Sequence, residues 1–183
     1  MARVHAVRAI VAVGAVLLLC GHGLPVHAAA AQANPPRPAS DPGIPGDAAR
    51  GKTLFEGKGR CTSCHRVNGQ GSRVAPDLST VGIIGLPEGL RRSLLDPTSM
   101  MKPINRPVRA VTRDGTVITG RRLNEDTHTV QLMDSRERLL QLEKSDLKEY
   151  AIGTTSPMPS YTDTLTPAEL DDVVAYLVSL KGM

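Results

Sequence analysis

Cys61-Thr62-Ser63-Cys64-His65 is the stretch of this chain whose residue types and spacing could do chemistry. Two thiols separated by two residues can each bond one of the two vinyl groups on a porphyrin edge. The histidine beside the second thiol is then held under the iron as an axial nitrogen ligand. This is the pattern of c-type haem attachment. On the residues alone, other uses of a CxxC remain open. A redox disulfide would want a surrounding βαβ pattern, and none is visible here. Structural zinc would want four protein ligands, with His128 as the fourth candidate and adjacent Cys64 and His65 as awkward joint ligands. A structural disulfide across so short a loop would be strained.

A haem iron held by one histidine has a sixth position to fill. The candidates beyond the leader are Met100, Met101, Met133, Met158 and His128. Thioether sulfur opposite histidine is a recurrent pairing that raises the reduction potential. Met158 is the expected ligand, because it stands in Ser156-Pro157-Met158-Pro159, where flanking prolines reduce the entropy lost in presenting a side chain. Met100 and Met101 follow a helix end. Met133 and His128 fall on expected strands, where packing or exposure is the ordinary fate. An open sixth position is the remaining alternative.

The elements that must position these groups follow from composition and pattern. The chain has 183 residues, 22 Lys+Arg against 18 Asp+Glu, five His and three Cys. Residues 1–33 hold Arg3 and Arg8, no acids, an apolar run over 10–19 and a small-residue end at Ala31-Gln32-Ala33. That is the pattern of a secretory signal peptide, and the run is short for a membrane span. Cys20 as a lipidation site is the weaker reading, because bulky Leu19 precedes it. The rest of the chain then carries nearly balanced charge, which argues against a nucleic-acid partner. No later stretch is apolar enough for a span, so the mature protein is expected to be soluble and periplasmic.

Residues 34–46 hold five prolines and read as a linker. Asp47 caps an expected helix over Ala48–Gly57, and Pro87–Asp96 reads as a second. Between them, Gly59–Leu78 is Gly-rich and loop-like. Short Val-, Ile-, Thr- and Leu-rich runs at Val108–Arg113, Thr116–Leu123, Thr127–Met133 and Leu139–Leu142 read as strands. Asp114-Gly115 marks a hairpin, and Asn124–Asp126 and Asp134-Ser135 are further turns. Together they imply a small antiparallel β unit over 106–152, a curled sheet or partial barrel. Thr166-Pro167-Ala168-Glu169 is a capping box that opens a last helix with Leu170, Val173, Val174, Leu177 and Leu180 on one face. Gly182 is its expected stop. Phe55, Tyr150, Tyr161 and Tyr176 are the only aromatics, so a flat haem would supply core area that large rings usually provide.

Taken in order, Gly51-Lys52-Thr53-Leu54-Phe55, the CxxCH, Ala75-Pro76-Asp77-Leu78, Met158-Pro159 and the Glu169–Leu180 helix resemble class I c-type cytochromes. The likeness covers residues 47–102 and 153–183. It implies an α+β fold, mainly an α cytochrome c fold around one covalently bound haem c, with an inserted small antiparallel β subdomain. On that reading 47–183 is one domain interrupted by 106–152. The resemblance further implies that the first and last helices cross, with Gly51 and Phe55 against Tyr176. It also implies that the Pro76 carbonyl accepts a hydrogen bond from His65. The inserted segment resembles the β insertion of bacterial haem-binding domains found attached to, or beside, sugar- and alcohol-type dehydrogenases.

The function these readings imply is that of an exported monohaem electron carrier, not an enzyme, working between redox proteins such as a periplasmic dehydrogenase and a respiratory acceptor. Its iron is expected between His65 and Met158, and Lys58, Arg60, Arg66 and Arg73 could steer an acidic partner. The alternative is a haem-based ligand binder or peroxidase-like protein with an open iron position. A third reading makes the β unit a docking module for a dehydrogenase. It expects that deleting Arg106–Ile152 would abolish complex formation and spare the haem spectrum.

Overall fold

The computed structural model describes residues 43–182, so the expected leader and most of the Pro-rich segment lie outside it. The last part of that segment is packed: Ile44 lies partly buried against the helical core, and Gly46, at φ +102°, sits against the Asp171 backbone.

Helix α1 spans Ala48–Glu56. The Asp47 carboxylate accepts from the Ala49 and Arg50 amides at 2.9 and 3.0 Å, satisfying two of the donors that a helix start leaves free. Two short helices follow the cysteine loop: α2 over Val81–Ile84 and α3 over Pro87–Leu95. The sequence pattern did not mark α2, whose Ile83 and Ile84 are exposed and leave no buried stripe to read.

The last helix, α4, spans Pro167–Ser179. Its capping box is complete: Thr166 Oγ1 accepts from the Glu169 amide at 3.3 Å, and the Glu169 carboxylate accepts from the Thr166 amide at 2.8 Å. Gly182 stands beyond the helix end, at φ +83°, and donates its amide to the Ser79 carbonyl at 2.9 Å.

Helices α1 and α4 form the centre of the helical core. A Cβ on Gly51 would fall 1.9 Å from the Asp172 carbonyl oxygen, so only glycine permits this approach. One turn on, Phe55 packs edge-on against Tyr176, ring centroids 5.4 Å apart. Such a pair contributes about 0.5–1.5 kcal/mol beyond its area burial. The buried Asp172 carboxylate accepts from Arg50 Nε and Nη2 at 2.8 and 2.7 Å and from the Asp47 amide at 2.7 Å. It therefore ties the start of α1 to α4 from both side chain and backbone.

Between α3 and α4 the chain forms a five-stranded antiparallel sheet. Its strands are β3 (Pro107–Thr112), β4 (Val117–Glu125), β5 (Thr129–Met133), β6 (Leu139–Glu143) and β7 (Leu147–Ile152). The short hairpin β1 (Arg66–Val67) and β2 (Gln70–Gly71) lies earlier, in the cysteine loop. The large sheet runs in the order β6-β5-β4-β3-β7. Strands β6 and β7 are thus opposite edges, yet only the 3₁₀ turn Lys144–Asp146 joins them. The sheet must curl until its edges lie one short turn apart.

Gly115 takes φ +90° in the β3–β4 hairpin, as an Asp-Gly turn requires. The next turn falls later than expected: β4 continues through Asn124 and Glu125, and the chain reverses at Asp126–His128. There the Asp126 carboxylate accepts from the His128 and Thr129 amides, both at 2.7 Å. An aspartate closing its own turn decides the position. Strand β7 is an edge strand with Lys148, Glu149 and Ala151 exposed, so it lacks the apolar alternation that marks the others. Val108, Val130 and Leu132 form the sheet's own core, with Ile118, Leu142 and Tyr150 packed on it.

Candidate functional site

The CxxCH sits on one tight turn. Gly59 and Arg60 lead into a 3₁₀ turn at Cys61–Ser63, with Arg60 in the left-handed region at φ +49°. The Cys61 carbonyl accepts from both the Cys64 and His65 amides, at 3.1 and 2.8 Å. This folding brings the two thiols and the imidazole onto adjacent corners of one turn. Both thiols are free; Cys61 is buried in the helical core and Cys64 is exposed.

Tyr161 closes over the buried thiol. Its hydroxyl donates to the Gly59 carbonyl at 2.8 Å and lies 3.8 Å from Cys61 Sγ. Burial pushes the Cys61 thiol up, with the Tyr161 contact opposing. The phenol is itself held well above its ordinary range, by burial first and by the neighbouring Cys61 second. In the sequence Tyr161 stands out only as one of few aromatics. Its place three residues after Met158 is the one local signal that could have tied it to the site.

His65 is oriented by a single bond. Its Nδ1 lies 2.7 Å from the Pro76 carbonyl oxygen. A carbonyl can only accept, so Nδ1 carries the proton and Nε2 keeps its lone pair. Burial holds the imidazole below its ordinary 6.5 against the opposing pull of the Pro76 carbonyl, and the Arg121 charge adds to the lowering. The ring is therefore neutral, with its proton on Nδ1 toward Pro76 and its lone pair on Nε2.

The Pro76 loop is fastened along the motif turn. Ser72 donates its amide to the Thr62 carbonyl at 3.0 Å, Ala75 to Cys64 at 2.8 Å and Leu78 to Arg66 at 2.8 Å. Gly71 allows the close start of this wrap: at φ +93°, a Cβ there would fall 2.3 Å from the His65 carbonyl oxygen.

Met158 stands partly buried against the helical core that also contains Cys61. Its loop is pinned to the end of α3. Ser156 donates its amide to Thr98 Oγ1 at 3.2 Å, and Ser156 Oγ accepts from the Met158 amide at 3.1 Å. Ser160 Oγ donates to the Leu95 carbonyl at 2.7 Å, and the Tyr161 amide donates to Leu94 at 2.9 Å.

The other sulfur and imidazole candidates are placed differently. Met133 is buried at the end of β5. Met100 and Met101 are partly buried in the turn after α3, and His128 is exposed in the β4–β5 turn, just before the strand on which it was expected. Among the described residues, no cluster of three or more His, Cys, Asp and Glu is placed to hold a metal ion, so the zinc set is not assembled.

Of the basic residues near the motif, Lys58 pairs with Glu169 at 2.7 Å and Arg73 with Glu137 at 3.2 Å. Arg60 is exposed. No helix among the described residues is long and apolar enough to cross a membrane.

The donor set suits a covalent haem. It offers two free thiols at i and i+3, an adjacent imidazole with Nε2 available, and a thioether on a loop pinned to the same core. A family model described as Cytochrome c matches residues 48–181, from the start of α1 past the end of α4. No curated protein matches the chain.

Proposed function

Because the chain belongs to the cytochrome c family, whose members are generally electron carriers rather than enzymes, we propose that it is an exported monohaem one-electron carrier. In this reading Cys61 and Cys64 would bond the haem covalently, and His65 Nε2 and Met158 Sδ would ligate its iron. The carrying observation is the His65 Nδ1–Pro76 contact at 2.7 Å, beside two free thiols on one turn. Haem c bound there supplies an iron that accepts and returns a single electron.

The protein's own groups then have defined tasks. The Pro76 carbonyl fixes the tautomer and ring plane of His65 and raises the basicity of Nε2, which favours the ferric state. The thioether of Met158, a soft ligand, favours the ferrous state. The pinned Ser156–Ser160 loop holds that sulfur without a further ordering cost when oxidation state changes. Low reorganisation of this kind is what repeated electron exchange needs.

The partners are redox proteins. Arg60 is the basic residue beside the motif with the freest reach toward an acidic surface, since Lys58 and Arg73 already engage Glu169 and Glu137. The leader pattern over residues 1–33 supports a periplasmic site of action.

The test is the optical spectrum of the purified, haem-loaded ferric protein. A long-wavelength sulfur-to-iron band is expected, and Met158→Ala should abolish it while the covalent haem content stays constant. A wild-type spectrum without that band would replace this reading with a haem-based ligand binder that has an open iron position.

A further inference from the structure

The β unit reaches the haem-side loop through two groups on different elements. Arg121, on β4, donates from Nε to the Val74 carbonyl at 2.9 Å and from Nη2 to the Arg73 carbonyl at 3.1 Å. Glu137, in the β5–β6 turn at φ +60°, accepts from the Arg73 amide at 3.3 Å and from Arg73 Nε at 3.2 Å. Residues 73 and 74 are therefore held by a cation on their carbonyls and, at Arg73, an anion on its donors. The next residue, Ala75, donates to the Cys64 carbonyl, and the one after, Pro76, accepts from His65.

We propose that Arg121, seconded by Glu137, is a positioning residue for His65: the β unit sets the place of the Pro76 carbonyl and thereby the orientation of the imidazole. The proposal rests on the reading of His65 as an iron ligand.

Three features make the grip specific. A planar guanidinium can bridge two successive carbonyls in a fixed geometry, which an ammonium cannot. Arg121 is partly buried, so its bonds face less competition from water than a surface contact would. Its sequence neighbour Arg122 points to the opposite face of β4, where it donates to the Pro103 carbonyl at 3.3 Å and pairs with Glu125. The strand thus divides its two arginines: one steadies the connection into the β unit, and the other reaches the histidine loop.

The experiment uses the haem-loaded ferrous protein and follows solvent exchange of the His65 Nδ1 proton and the Ala75 amide by NMR. The Val130 and Leu132 amides report on the sheet core. Arg121→Gln is expected to speed exchange at His65 and Ala75 by about tenfold, with Val130 and Leu132 unchanged. Arg121→Lys, which keeps the charge and loses the fork, should fall between the two. A merely structural role would move all four sites together.

Rates at His65 and Ala75 equal to wild type in a folded Arg121→Gln protein would overturn the proposal. Should that variant lose protection at Val130 and Leu132, Glu137→Gln decides, because its side chain lies outside both cores. Faster exchange at Ala75 and His65 alone supports the grip, and no change overturns it. Failure of the underlying reading is seen separately, as the absence of covalently bound haem in the purified wild type.

Discussion

The proposed haem attachment would consume both thiols, and the two begin in unlike places. Cys64 is open to solvent, whereas Cys61 lies under Tyr161 in the helical core. The Tyr161 hydroxyl donates to Gly59, the residue that feeds the chain into the motif turn. Replacing it by Phe removes that carbonyl's hydroxyl donor and leaves it only the weak, longer contact from the Cys61 thiol at 3.6 Å. Tyr161→Phe is expected to cost about 1–2 kcal/mol, read as a lower thermal midpoint, with covalent haem content unchanged. An unaltered midpoint would show that the bond carries no net weight. At this scale the sequence was legible where chemistry fixes spacing. Two sulfurs and an imidazole must share one turn, so the CxxCH could be read directly. Tyr161 and Arg121 were not read, because their partners lie 102 and 47 residues away and no local pattern signals such a pairing.

Helices α1 and α4 are fixed by their capped ends and by their crossing, which is tightest at Gly51. Caps are local chemistry, so Asp47 before α1 and the Thr166–Glu169 box before α4 were visible in the sequence. Strand β7 was not, since an edge strand with charged exposed positions shows no alternation to read. The contact point at Gly51 separates two roles of glycine. Gly51→Ala would drive a methyl into the α4 backbone at Asp172, and it is expected to cost at least about 3 kcal/mol by forcing α1 from α4. Gly89→Ala, in α3, meets nothing within 4 Å and is expected to gain about 0.5–1 kcal/mol through helix propensity. Chemical denaturation of the two variants checks both signs. A loss at Gly89 comparable to that at Gly51 would refute the distinction.

The whole described molecule has two apolar cores, one among the helices and one inside the curled sheet, and they are expected to respond differently to acid. Hydrogen bonds within turns hold the carboxyls of Asp114, Asp126 and Asp134 below the usual range, from Thr112, Thr129 and Arg138 respectively. Lys144 does the same for Glu125, and Ser72 for Glu137. A lowered native value stabilises fully above the unfolded carboxyl range, and that contribution is lost as pH falls through the native values. The β unit carries all five of these groups, while Asp77, Asp96 and Glu169 are the lowered carboxyls outside it among the described residues, so the β unit is expected to lose amide protection first on acidification below about pH 4, before the α1–α4 core. Hydrogen exchange of Val130 against Val173 across that range checks the order, and simultaneous loss would contradict it. A last consequence comes from the pairing of β3 with β7, which sets Val108 opposite Ile152 and continues with the Gly153 amide donating to the Pro107 carbonyl at 2.7 Å. The segment leaves the helical fold and re-enters it through the same doorway. A unit that enters and leaves at one seam could be exchanged without rerouting its host chain, provided its replacement kept both the two neighbouring strand ends and a grip on residues 73 and 74 like that of Arg121 and Glu137.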